Sequence, residues 1–86
     1  MRAALEKLVR EVLAEHARLA VDALAVRTDA DLYGNGLTSH ASVNVMLALE
    51  DAFDLEFPDR LLKKHTFESI DAISEALIEL GCCAEP

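Results

Sequence analysis

The chain has 86 residues with 16 acidic and 8 basic side chains, a formal charge of −8, a hydrophobic fraction of 52%, only 5% aromatics and no tryptophan. A chain this short builds one core and no deep catalytic cleft beside it. So acidic a surface is repelled by a nucleic-acid backbone and attracted to basic protein partners, which excludes DNA or RNA as the main ligand.

Leu, Ala, Val and Ile do the packing, and three glycines and two prolines leave little room for the turns of an all-β fold. An all-α bundle is expected, as a single domain over residues 1–86 with about 81–86 as a frayed tail. No apolar run approaches the length of a membrane span and no signal-peptide pattern opens the chain, so a cytoplasmic monomer with no membrane partner is expected. Cys82 and Cys83 are adjacent. Neighbouring cysteines cannot staple distant segments and lack zinc-ligand spacing, so reduced thiols on the tail are the expectation.

From residue 2 to about 17, Leu5, Leu8, Val9, Val12 and Leu13 recur at three- and four-residue steps, with Arg2, Glu6, Lys7, Arg10, Glu11 and Glu15 opposite them. This pattern predicts the first helix. His16 falls near its end, where a protonated ring meets the negative terminus favourably. Residues 19–36 form a long connection, in which Leu19, Val21, Leu24, Val26, Leu32 and Tyr33 are expected to pin an ordered crossover to the core. Thr28-Asp29-Ala30-Asp31 is expected to add a helical turn.

Gly34-Asn35-Gly36 then breaks regular structure, and Thr38-Ser39 precedes a periodic apolar run. That order marks a helix start, predicted to run from about Ser39 to Phe53. Ser39 is expected to expose its hydroxyl at the electropositive end, a place that suits an anion. A simple capping role for Thr38 or Ser39 is the competing local reading. At about 100° per residue, Ser42, Val45, Met46, Leu49, Ala52 and Phe53 fall within roughly 120° and form the core stripe. Val43 and Leu47 lie nearly opposite, flanked by Asn44, Glu50 and Asp51. Burying that face would strand two carboxylates, so it is read as a partner-docking surface, apolar with an acidic rim.

Phe57-Pro58 ends any continuation. A short third helix is expected over Asp59-Arg60-Leu61-Leu62-Lys63-Lys64, with Arg60, Lys63 and Lys64 as the one basic cluster. Thr66 is expected to cap the last helix, whose inward stripe is Phe67, Ile70, Ile73, Leu77 and Leu80 and whose stop is Gly81.

Catalytic chemistry fails on geometry. Ser39 and His40 are sequence neighbours whose side chains diverge on a helix, so they form no nucleophile–base pair. His16, His40 and His65 are too scattered for a metal, and no frame of the acidic loop supplies the closing glutamate of a calcium loop. Catalytic residues are none and metal ligands none in this reading, so an enzyme is not expected.

An acidic chain of helices with an exposed serine opening the second resembles an acyl carrier protein. The resemblance rests on Asp31-Leu32, Gly36-Leu37, Ser39, the run Val45-Met46-Leu47-Ala48-Leu49-Glu50-Asp51-Ala52-Phe53-Asp54, and Glu56-Phe57-Pro58-Asp59. It implies a bundle of three longer helices and one short one, with a long ordered loop between the first two. It also implies 4′-phosphopantetheine, moved from coenzyme A onto Ser39 by a phosphopantetheinyl transferase, with Thr38 and His40 flanking the site. Val43, Asn44, Leu47, Glu50 and Asp51 then map onto the family's partner-recognition helix.

Three positions depart from the common pattern. Thr38-Ser39-His40 stands where the family usually reads Asp-Ser-Leu, and Asn44 replaces a common glutamate. Asp31-Leu32-Tyr33, Gly36-Leu37-Thr38-Ser39, Ala41-Ser42-Val43 and Phe57-Pro58-Asp59-Arg60-Leu61-Leu62 are similar to the bacterial aminoacyl carrier proteins. That subgroup implies loading by a seryl-tRNA-synthetase-like amino acid:carrier protein ligase, or another acyl-loading enzyme, and carriage of the cargo as a thioester. A fatty-acyl or polyketide carrier and a cofactor-free helical interaction domain stay open as alternatives.

Overall fold

Leu5, Val9 and Leu13 stand four residues apart, so a helix stacks them along one line. In the computed structural model, which describes residues 2–81 and the side chains from residue 3 onward, they form the buried spine of α1 (Arg2–His16). Ala17 continues that line into the first residue after the helix. Val12 is half-buried beside them, but Leu8, expected inside, is 44% exposed because it lies off the four-residue line.

Arg10 is not the solvated charge its pattern predicts. One guanidinium nitrogen, Nη1, donates to the carbonyls of Ala23 at 3.1 Å and Val26 at 2.6 Å, fixing the crossover against α1. Ala23 is therefore buried, whereas Val21 and Leu24, expected to pin this stretch, are exposed. Leu32 and Leu37 anchor the second half of the crossover and are almost fully enclosed.

Backbone hydrogen bonds complete its order. Leu32 N–H donates to the Glu68 carbonyl at 2.7 Å, Asp71 N–H to Thr28 at 2.9 Å, and Ala20 N–H to Asn35 at 2.8 Å. The helical turn in this stretch is a 3₁₀ turn at Tyr33–Asn35, downstream of the expected 28–31. At Gly36, with φ of 109°, a Cβ would lie 2.9 Å from the Ala20 backbone nitrogen, so only glycine fits.

α2 spans Ser39–Phe53 and packs against α1. Ala41, Val45 and Leu49 are its buried line, with Met46 and Phe53 packed at the edges. Ala52, placed in the core by angular arithmetic, is exposed beside a surface groove between α1 and α2. The helix ends at Asp54, which adopts the left-handed conformation and donates its N–H to Glu50 O.

Where a short third helix was expected, the chain makes two 3₁₀ turns, Asp59–Leu61 and Lys64–Phe67, separated by extended backbone at Lys63. A six-residue helix seldom repays its nucleation cost, and here the segment instead buries Phe57 and Phe67, whose rings sit 5.5 Å apart. α3 (Ile70–Glu79) also packs on α1. Its cap is Ser69, which accepts from Ala72 N–H at 3.0 Å, and not Thr66, which is buried inside the preceding turn. Ile70, Ile73 and Leu77 face the core, and Gly81 takes a φ of 79° just past the helix end.

Among the described residues there is no strand and no helix long and apolar enough to cross a membrane. Cys82, Cys83 and the rest of the expected tail beyond Gly81 lie outside the described residues.

Candidate functional site

The start of α2 divides two jobs between adjacent hydroxyls. Thr38, extended at φ −100° and ψ 164°, accepts the Ala41 N–H on its Oγ1 at 3.0 Å and so caps the helix. Ser39 is the first helical residue and is exposed, and no hydrogen bond among the described residues engages its Oγ. Its carbonyl accepts from Ser42 Oγ at 2.7 Å, which steadies the first turn. Beneath it, buried Leu37 and Ala41 tie the turn to the core. The result is a free hydroxyl on a rigid base at the positive end of a helix dipole.

A groove of about 300 Å³ opens from Ser39 toward the 3₁₀ turns. Val43, Met46, Leu62 and Phe67 make it apolar, and Tyr33, Lys63 and Lys64 add its polar groups. Lys64 Nζ lies 4.9 Å from the centre of the Tyr33 ring, a cation–π contact. Partial burial, with the nearby Glu68 and Asp31 carboxylates, raises the Tyr33 phenol above its ordinary pKa, while the neighbouring Ser42 hydroxyl pulls the other way. On the opposite flank of the serine, His16, Arg18, Gly36, Thr38, His40 and Asn44 line a second, more polar recess of about 360 Å³.

The expected docking residues do not all share one surface. Val43 lines the Ser39 groove, whereas Asn44, Leu47 and Asp51 line the separate α1–α2 groove with Val12 and Glu15. Val43 and Leu47 are 49% and 53% exposed, as expected. Glu50 departs from expectation: it is half-buried, and its Oε2 accepts the Phe57 N–H at 2.8 Å, so this carboxylate closes the loop after α2.

Sequence reading missed Tyr33, Leu62, Lys63, Lys64 and Phe67 as neighbours of the serine. The basic cluster was visible, but nothing in the pattern placed it across from α2. Arg60, its third member, pairs instead with Glu79 of α3. Histidines 16, 40 and 65 are exposed, His65 pairs with Glu68 at 2.5 Å, and no cluster among the described residues suits a metal ion.

These residues fit a phosphodiester on Ser39. The oxygen is accessible and uncommitted, the helix terminus favours an anion, and two lysines share the adjoining groove.

Comparison with known proteins agrees. A profile for the phosphopantetheine attachment site matches residues 6–77. An aminoacyl carrier protein of Agrobacterium fabrum is 46% identical over 69 residues, covering 80% of this chain and 83% of that one. The carrier protein from Agrobacterium tumefaciens, solved with an engineered Bradyrhizobium japonicum glycine:carrier protein ligase and ATP, superposes with a TM-score of 0.84 at 43% identity over 87% of this chain and 97% of that one. A glycylated carrier protein in complex with the Bradyrhizobium japonicum ligase gives 0.64 at 35% identity, over 87% and 96% of the two chains.

Proposed function

The chain belongs to the phosphopantetheine attachment-site family, and from that premise we propose that it is an aminoacyl carrier protein whose attachment residue is Ser39. The observation that carries this reading is the uncommitted, exposed Ser39 hydroxyl beside a separate capping threonine. A phosphopantetheinyl transferase working from coenzyme A is the modifying enzyme in this reading. When bound, the arm supplies a thiol that holds an amino acid as a thioester, which is why the protein itself needs no catalytic constellation.

The residues of this chain bind and position. Leu37 and Ala41 hold the start of α2 rigid, and its unpaired N–H groups favour the phosphodiester charge. Thr38 and His40 flank the attachment oxygen. Val43, Leu47, Asn44 and Asp51 offer the loading enzyme exposed apolar contacts with polar and acidic neighbours, and tethering raises the effective concentration of cargo at a docked partner. Glu50 acts on the loop after α2 rather than on a partner. The partner class is an amino acid:carrier protein ligase, and glycine is the first cargo to test, because the ligases solved with similar carriers are named glycine:carrier protein ligases and one of those carriers is glycylated. No fatty-acyl or polyketide carrier is among the relatives described above.

Intact mass after co-expression with a broad-specificity pantetheinyl transferase tests the attachment. The wild-type chain is expected to gain one arm and Ser39→Ala none. A wild-type chain left unmodified by several such transferases returns it to the class of cofactor-free interaction domains. Holo protein incubated with ligase, ATP and a panel of amino and fatty acids then tests the cargo.

A further inference from the structure

The groove beside Ser39 is lined by charge of the sign opposite to the net charge of the chain. The chain holds 16 carboxylates and 8 lysines and arginines, yet the residues lining this groove include Lys63 and Lys64 and no carboxylate; Asp31 and Glu68 line the neighbouring recess that shares Tyr33 and Lys64. Lys64 is held over Tyr33, and no ion pair among the described residues engages Lys63. The remaining lining is mostly apolar, with Met46 half-buried and Phe67 buried, so the space can shelter the end of an uncharged chain.

We propose that Lys63 and Lys64 make this groove a charge filter, which admits a neutral end of an arm on Ser39 and turns away one that ends in an ammonium. The proposal rests on the aminoacyl carrier reading, since an amino acid held as a thioester keeps a free α-ammonium. Two effects oppose entry of that group: it loses water against apolar walls, and it approaches two like charges where the low polarity strengthens their repulsion. The single charge of the phosphodiester at Ser39 attracts the ammonium and opposes the lysines, so the filter works by two positive charges outweighing one negative. The consequence is directional. Loading with an amino acid drives the end of the arm out of the groove, so the cargo stands in solvent where an acceptor enzyme meets it.

Glycyl and propionyl groups have nearly the same shape and differ in the ammonium, so they separate charge from size. Each is carried on an arm attached to Ser39 whose terminal thiol is replaced by an amine, so that an amide, which resists hydrolysis, stands in place of the thioester, and intact mass confirms one loaded arm per chain. Methyl NMR shifts of Met46, Val43 and Leu62 relative to the protein carrying the unloaded arm then report occupancy of the groove by the loaded end. The propionyl form is expected to shift these methyls, and the glycyl form to shift them about tenfold less at low salt. In Lys63→Glu/Lys64→Glu the glycyl shifts should rise to the propionyl level, with backbone spectra showing that the fold is kept. Equal shifts from both groups in the wild-type chain overturn the filter. So does a glycyl group still excluded after the lysine exchange, which leaves dehydration alone as the barrier. Failure of any transferase to attach either group defeats the carrier reading itself, a different result seen in the mass and not in the shifts.

Discussion

Val43 and Val45, and Leu47 and Leu49, are the same side chains two positions apart on one helix. Val45 and Leu49 are fully buried, while Val43 and Leu47 are about half exposed. Identical chemistry thus serves opposite ends, because two steps of an α-helix turn a side chain by about 200°. The inner pair meets the core between α2 and its neighbours. The outer pair points to two different surface grooves, Val43 beside Ser39 and Leu47 beside α1. The fold and the proposed recognition face can therefore be altered separately on this helix.

The strongest way to break that contrast is to truncate both leucines. Leu49→Ala is expected to lower unfolding free energy by about 3 kcal/mol through lost burial and a residual cavity, whereas Leu47→Ala should cost less than about 0.5 kcal/mol. Urea denaturation of the two variants measures this. Loading by the ligase should reverse the order, with Leu47→Ala slower and Leu49→Ala near wild type at a temperature where it stays folded. If both residues affect both readouts alike, the two faces are not separable.

The two neighbouring carboxylates sharpen the comparison further. Glu50→Lys removes the acceptor of the Phe57 N–H and is expected to destabilise the chain by about 1–2 kcal/mol. Asp51→Lys should leave stability unchanged and slow loading instead. Chemical denaturation and single-turnover loading assign each residue to its side. At the start of the helix, Thr38→Ala should cost about 1 kcal/mol by removing the cap. It should leave Ser39 open to modification, as intact mass will report.

The smallest effect is one of pH. The Tyr33 pKa is raised in the folded protein, chiefly by burial, so the unfolded chain releases this proton first. The associated stability is present below the ordinary tyrosine pKa of about 10 and is lost as pH climbs through it toward the folded value. Wild type should lose more stability than Tyr33→Phe between about pH 9 and 11, and parallel curves would show that the phenol contributes nothing.

The helices were legible because their periodicity repeats a local rule. α1 and α2 begin and end where the apolar steps and the Thr38-Ser39 signal place them, and Ile70, Ile73 and Leu77 of the expected stripe face inward on α3, while Phe67 falls in the turn before it. The segments between them depend on partners that no local pattern reveals. Val21 and Leu24 look like anchors, yet Ala23 is the buried residue because Arg10 binds the carbonyls on either side of Leu24 and Ala25. Thr66 and Ser69 are both hydroxyls before apolar residues, and the choice falls to Ser69 because the turn at Lys64–Phe67 encloses Thr66. At the site, Ser39 was readable from turn chemistry followed by helix period. Its groove was not, since Tyr33 and the lysines reach it through the crossover and the 3₁₀ segment.

The separate duties of Thr38 and Ser39 have one last consequence. Had a single oxygen both held the first turn and received the modification, each esterification would have loosened the helix it stands on. With Thr38 gripping the backbone, the proposed modification of Ser39 leaves the cap of the helix in place. Enzymes that visit the protein before and after cargo is loaded then meet the same silhouette, and must tell the two states apart by what hangs from it.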